Sequence, residues 1–151
     1  MELKIKKETA QKIYAGAPDY FKEILLETFG KSCFEKREYT NIKTYEDACE
    51  ILGLTPGDIF NNGDLPDEVA YKKLKVIIKA INNGWNPDRN DADQKKWYPW
   101  FNSSSGVGFS YANYDYAGTY SNVGSRLCFE SKEKANYMAT QFIDLYKEFL
   151  L

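Results

Sequence analysis

The first residues whose types and spacing suggest chemistry are cations placed beside rings. Lys72, Lys75 and Lys79 recur at helical spacing, and Arg89, Lys95 and Lys96 follow just before Trp97, Tyr98, Trp100 and Phe101. Basic groups track phosphates and rings stack on bases, so this succession suits a single-stranded nucleic acid. Asp88, Asp91 and Asp93 fall in the same stretch and weaken its field. The plainer reading is a solvated helix face beside a loop whose rings plug the core. Tyr111, Tyr114, Tyr116 and Tyr120 form a second aromatic group, interleaved with Ser, Asn and Gly. Adaptable recognition loops have that composition. Together with 97–101 it predicts a surface for a protein partner, a sugar or a base, set against a plain sheet face carrying cross-strand Tyr pairs.

Other chemistries fail on residue type or spacing. There is no histidine. That removes Ser-His-Asp and Cys-His nucleophile arrangements, the usual neutral-pH acid/base group and most zinc sites. The cysteines are Cys33, Cys49 and Cys128, with no CxxC pair. Their odd number and wide spacing predict free thiols in a reducing cytosol. Arg126, two residues before Cys128, is the nearest approach to a thiol with a cationic neighbour. Asp88-Arg89-Asn90-Asp91-Ala92-Asp93 invites a calcium-loop reading but lacks its Gly and its closing Glu, so a surface turn is expected. Gly106-Val107-Gly108 is too short for a phosphate loop. Carboxylate pairs for glycoside chemistry are defined by separation in space, and among 22 Asp and Glu nothing selects one. The residues therefore predict no cofactor and no metal, and lean against an enzyme.

These groups must be held by something, and the composition allows an ordinary core. The chain has 151 residues, 43% hydrophobic and 28% charged, enough for one domain. The net charge of −2 argues against coating duplex DNA by charge alone. Aromatics, with 12 Tyr, 9 Phe and 3 Trp, are the excess that needs explaining. The N-terminus lacks the apolar stretch of a signal peptide, and no run is long enough to span a membrane.

Periodicity places the elements. Phe21, Leu25 and Phe29 predict a helix over 18–29, opened by Pro18 and closed by Gly30. Thr44 and Asp47 form a near capping box for a helix that ends at Gly53. Tyr71, Leu74, Ile78 and Ile81 mark a central helix over 66–83. The pattern then turns to alternation. Trp97 to Phe101, interrupted by Pro99, reads as an edge strand or extended loop; Val107, Phe109 and Tyr111 as a second strand; 126–129 as a third. Ala135, Met138, Phe142, Leu145 and Phe149 predict one closing helix. The expected fold is α+β: N-terminal helices, a small antiparallel meander over about 97–129, and a C-terminal helix. It is expected as a single domain over 1–151, with 1–43 as a less tightly packed arm.

The segments Tyr45-Glu46-Asp47-Ala48-Cys49, Trp85-Asn86-Pro87-Asp88, Trp97-Tyr98-Pro99-Trp100-Phe101 and Ser125-Arg126-Leu127-Cys128-Phe129, with the closing helix, resemble small proteins encoded by phages and prophage-like elements of gut bacteria. The resemblance covers about 44–151 and carries no assigned activity. It implies a mobile-element accessory protein in the cytoplasm of a bacterial host. The leading expectation is a non-enzymatic binding protein that meets a protein partner through Trp97 to Phe101 and the Tyr hairpin. The alternative is single-stranded nucleic-acid binding, and a histidine-independent enzyme stands third. Self-association is left open.

Overall fold

The computed structural model describes residues 5–34, 38–88, 90–103, 108–117 and 127–151. Arg89, Val107, Tyr120 and Arg126, named above, lie outside them. The chain divides into two compact units, Met1–Arg37 and Glu38–Leu151.

In the first unit, α1 (Lys7–Tyr14) and α2 (Asp19–Phe29) are followed by a 3-10 turn at Lys31–Cys33. Pro18 precedes α2 rather than opening it, with an extended ψ of 153°. Gly30 closes the helix at φ 79°, a conformation other residues seldom take. Tyr14 stacks on Phe34 at 4.2 Å, and the Gln11 side-chain amide donates to the Cys33 carbonyl at 2.9 Å.

The second unit is built around a long central helix. Its elements are a 3-10 turn at Tyr39–Asn41, α3 (Tyr45–Leu52), α4 (Pro66–Asn82), β1 (Lys96–Asn102), β2 (Ser110–Ala117), α5 (Lys132–Gln141) and α6 (Ile143–Leu150). The architecture is thus α+β, with helices at both ends of an antiparallel sheet. Thr44 caps α3 as the sequence predicts: its hydroxyl accepts from the Asp47 N–H, and the Asp47 carboxylate accepts from the Lys43 and Thr44 N–H groups. Those backbone donors hold the Asp47 carboxyl below its ordinary range. α4 buries Leu74, Ile77, Ile78 and Ile81 and packs between α3 and α6. α5 lies against the strands and adds Ala135 and Met138 to the same core.

The closing segment is two helices rather than one. Phe142, at φ −118° and ψ 31°, leaves the helical conformation and separates α5 from α6. Just before it, the Thr140 hydroxyl donates back to the Asn136 and Tyr137 carbonyls at 3.0 and 3.1 Å. Such back-bonding competes with the helix ladder and bends it. The break re-phases the apolar stripe, so that Tyr146 is buried while Leu145 is only half-buried.

Among the described residues the expected meander appears as two strands and a bridge. β1 pairs with β2 from Lys96↔Ala117 to Asn102↔Ser110, and the register shifts between Trp100 and Phe101. That shift leaves Ala112 as the extra residue of a bulge. From the 126–129 segment, Phe129 forms the bridge Trp97↔Phe129, in which each residue donates to the other's carbonyl. On its far side Phe129 is flanked by the Asn82 carboxamide. Asn82 Nδ2 donates to the Cys128 carbonyl at 2.9 Å, and the Glu130 N–H donates to Asn82 Oδ1 at 3.3 Å. A side-chain amide at the end of α4 thus takes the place of a neighbouring strand.

The same alternation explains how Pro99 fits in a strand. Trp97 turns both its backbone polar groups away from β2 and toward Phe129. Pro99, two residues on, faces the same way, so its missing N–H subtracts no bond from the β1–β2 ladder. Tyr114 and Tyr116, the partners of Pro99 and Trp97, turn their N–H groups outward from β2 in turn. Both are already taken: Asn113 Oδ1 accepts from the Tyr114 N–H at 2.9 Å, and Asp115 Oδ1 from the Tyr116 N–H at 2.7 Å. Among the described residues no strand pairs with this edge, and unpaired edges invite other chains. Replacing both Asn113 and Asp115 by Ala is expected to cause concentration-dependent association in sedimentation velocity. Asp115→Asn, which keeps an acceptor but drops the charge, should sediment as the wild type. A monomeric double variant would show that the two side chains do not guard the edge.

Candidate functional site

The ribbon sorts the aromatic run onto two faces. Trp97, Pro99 and Phe101 share a face with Tyr116, Tyr114 and Tyr111; Lys96, Tyr98 and Trp100 lie on the other, opposite Ala117, Asp115 and Asn113. The bulge makes this possible. Tyr111 is out of phase with Tyr114 and Tyr116 in sequence, and the extra residue at Ala112 brings all three to one side.

The first face runs from closed to open. At one end Phe101 is stacked on Phe109 at 5.1 Å and lies 4.6 Å from the Tyr146 ring, as part of the core. Tyr111 meets Phe101 edge-on at 6.2 Å, and burial pushes its hydroxyl pKa up. At the other end Trp97 is half-buried, with Tyr114 edge-on at 5.7 Å and Tyr116 tilted at 5.0 Å. Tyr116 is 47% exposed. Over this end lies Lys95, its ammonium 4.6 Å from the Tyr116 ring centroid and 5.9 Å from that of Trp97.

The second face is closed at its start and open further along. Tyr98 is buried, whereas Trp100 is 53% exposed. Lys96 is buried too, at 5% exposure. Its ammonium donates to the Asp91 and Gln94 carbonyls at 3.2 and 3.0 Å. The 88–94 loop therefore wraps a cation that the chain itself supplies. Two nearby carboxylates are engaged locally: Asp88 Oδ1 accepts from the Asn90 N–H, and Asp91 Oδ1 from the Asp93 and Gln94 N–H groups. This is the turn chemistry expected of Asp and Asn at such positions.

The described lysines of the basic set have different partners. Lys72 is paired with Asp64 at 2.6 Å, and that ammonium is the first cause holding the Asp64 carboxyl below its ordinary range. Lys75 lies over the Tyr71 ring at 4.7 Å, and Lys79 is exposed. Lys95 is on the aromatic face and Lys96 is inside.

The remaining reactive groups are buried. Cys33, Cys49 and Cys128 are all buried, and none is in a disulfide. Burial pushes the Cys128 thiol up to about 11, against the opposing pull of the Lys96 ammonium. A thiol so placed stays protonated at neutral pH and is a poor nucleophile. The Tyr146 hydroxyl is buried with no hydrogen-bond partner among the described residues, and that burial drives its pKa upward. Among the described residues no group of three or more Cys, Asp or Glu is arranged to hold a metal ion. No described helix is long and apolar enough to cross a membrane.

Sequence reasoning named the rings and Lys95 but missed Asn82, Asn113 and Asp115. Lys95 was legible as a ring partner, because strand alternation places residues 95 and 97 on one side. Asn82 and the Asn113/Asp115 pair carried no such signal, since their roles depend on which backbone groups the fold leaves over. No family model matches the chain, and no curated protein and no solved structure matches it either.

Proposed function

We propose that the chain is a non-enzymatic binding protein that contacts a protein partner through the aromatic surface of its β1–β2 ribbon. The observation that carries this reading is the exposure of Trp100 and Tyr116, one on each face of a ribbon whose Tyr98 and Phe101 pack inward. Trp and Tyr supply large, stiff, amphipathic contact area and dominate the energetics of protein interfaces. The capped outer edge of β2 favours contact through ring faces over strand addition. The pairing of Lys72 with Asp64 and the burial of Lys96 weigh against the single-stranded nucleic-acid reading. In this reading the partner belongs to the cytoplasm of a bacterial host, the setting implied by the resemblance of 44–151.

The test compares the tagged full chain with Trp100→Ser/Tyr116→Ser and with Tyr20→Ser, a control at a ring 70% exposed in the first unit. Each is used to retrieve partners from bacterial extract. A polypeptide held by the wild type and the control is then purified and titrated, and the double variant is expected to bind it at least tenfold more weakly, roughly the loss of one interface hot spot. Equal retention by all three proteins would sink the proposal. So would bound material that nuclease removes and salt releases, which would favour nucleic acid.

A further inference from the structure

The open end of the first ribbon face has the makings of a cation site. Trp97, Tyr114 and Tyr116 stand at angles to one another, Trp97 against Tyr114 at 70° and against Tyr116 at 55°. Tyr114 packs edge-on against Trp97, and the Trp97 and Tyr116 rings both lie within reach of one cation. The Lys95 ammonium lies within 6 Å of both of these ring centroids. A cation over the face of a Trp or Tyr is attracted by the ring quadrupole, and several rings around one cation are how organic ammonium ions are recognised. Among the described residues no ion pair holds Lys95, which is exposed and sits immediately before β1. The rings are thus its described partners, and solvent can reach the site past the half-exposed Tyr116.

We propose that Trp97 and Tyr116, with Tyr114 packed edge-on behind Trp97, form a recognition site for a lysine side chain of the protein partner, and that Lys95 occupies it until the partner's lysine displaces it. The chain's own residue defines the chemistry, an alkylammonium on a flexible apolar stem. An exposed contact of this kind is weak, so displacement is easy: the released Lys95 returns to water at small cost. The proposal rests on the protein-partner reading for the source of the lysine, but the site can be tested without a partner.

The probe is Nα-acetyl-lysine amide, titrated into the full-length protein and followed by the Trp97 indole N–H resonance, assigned with Trp97→Phe. Nα-acetyl-norleucine amide is the uncharged control. The lysine derivative is expected to shift the Trp97 signal saturably, and the norleucine derivative to shift it far less. Lys95→Ala removes the internal competitor and is expected to tighten binding about two- to fivefold. Lys95→Ala/Tyr116→Ala should lose the saturable response. Equal responses to the two derivatives would overturn the cation site yet leave an apolar protein-binding surface standing. Absence of any response in a folded Lys95→Ala variant would also overturn it. Conversely, a lysine response alongside failed partner retrieval would reject the protein-partner reading and keep the site.

Discussion

Phe129→Ala is expected to lower the stability of the Glu38–Leu151 unit by about 3–5 kcal/mol, the range for truncating a fully buried Phe. Phe129 is 0% exposed and heads the largest fully buried side chains. It shares its core with Leu74, Ile77 and Ile81 of α4, Met138 of α5 and Tyr146 of α6. Its N–H and carbonyl are both bonded to Trp97, so the segment has little freedom to slide into the cavity that truncation leaves. Sites that cannot collapse lie at the costly end of the range. A loss of that size is a large part of the roughly 5–15 kcal/mol that stabilises an ordinary domain. Urea unfolding followed by tryptophan emission isolates the effect, because Trp85, Trp97 and Trp100 all belong to this unit. The midpoint should fall with an unchanged denaturant slope. A loss under about 1 kcal/mol would mean that the core is not centred on Phe129.

How far the fold could be read from the sequence depended on how local each determinant is. α4 was legible because its buried residues recur at helical spacing and Pro66 opens it. α3 was legible because its cap joins residues three apart, and Gly53 takes the left-handed φ of 66° that ends it. The closing helix was read as continuous because its stripe is regular on paper. The break at Phe142 comes without Pro or Gly, and its local mark, the Thr140 hydroxyl, is ambiguous in a sequence. The 126–129 candidate strand is met among the described residues by the bridge of Phe129 to Trp97, a pairing that depends on a residue 32 positions away.

The site was legible in its rings and not in their sides. Alternation normally tells inside from outside, but in Lys96-Trp97-Tyr98-Pro99-Trp100-Phe101 nearly every residue can pack. The answer came from tertiary partners. Phe101 turns inward because Tyr146 meets it, and Lys96 can be buried because two loop carbonyls accept its protons. The Tyr series added a phase error that only the bulge at Ala112 resolves. Polar residues that replace missing strands, such as Asn82, are invisible for the same reason: their partners lie 46 and 48 residues away.

Asn82 therefore makes the second large prediction. It is 5% exposed at the end of α4, and its carboxamide supplies one donor and one acceptor to the segment that carries Phe129. Asn82→Leu keeps similar bulk but leaves the Cys128 carbonyl and the Glu130 N–H without these partners. Each stranded group costs about 1–3 kcal/mol where water cannot replace the bond, so the expected loss is about 2–4 kcal/mol. Asn82→Asp separates hydrogen bonding from shape. An ionised carboxylate still accepts from Glu130 but faces the Cys128 carbonyl with no proton to give, so it should be worse than Leu at neutral pH. Protonation restores the donor. The folded state then binds the proton more tightly than the unfolded chain, whose Asp titrates near about 3.9, so stability falls as pH rises through that interval and returns on acidification. Relative to the wild type measured at each pH, Asn82→Asp should thus recover stability as pH is lowered from 7 toward about 4, while Asn82→Leu should show a constant deficit. A constant deficit for Asn82→Asp as well would mean that the donor to Cys128 contributes nothing, and that Asn82 holds the segment by packing alone.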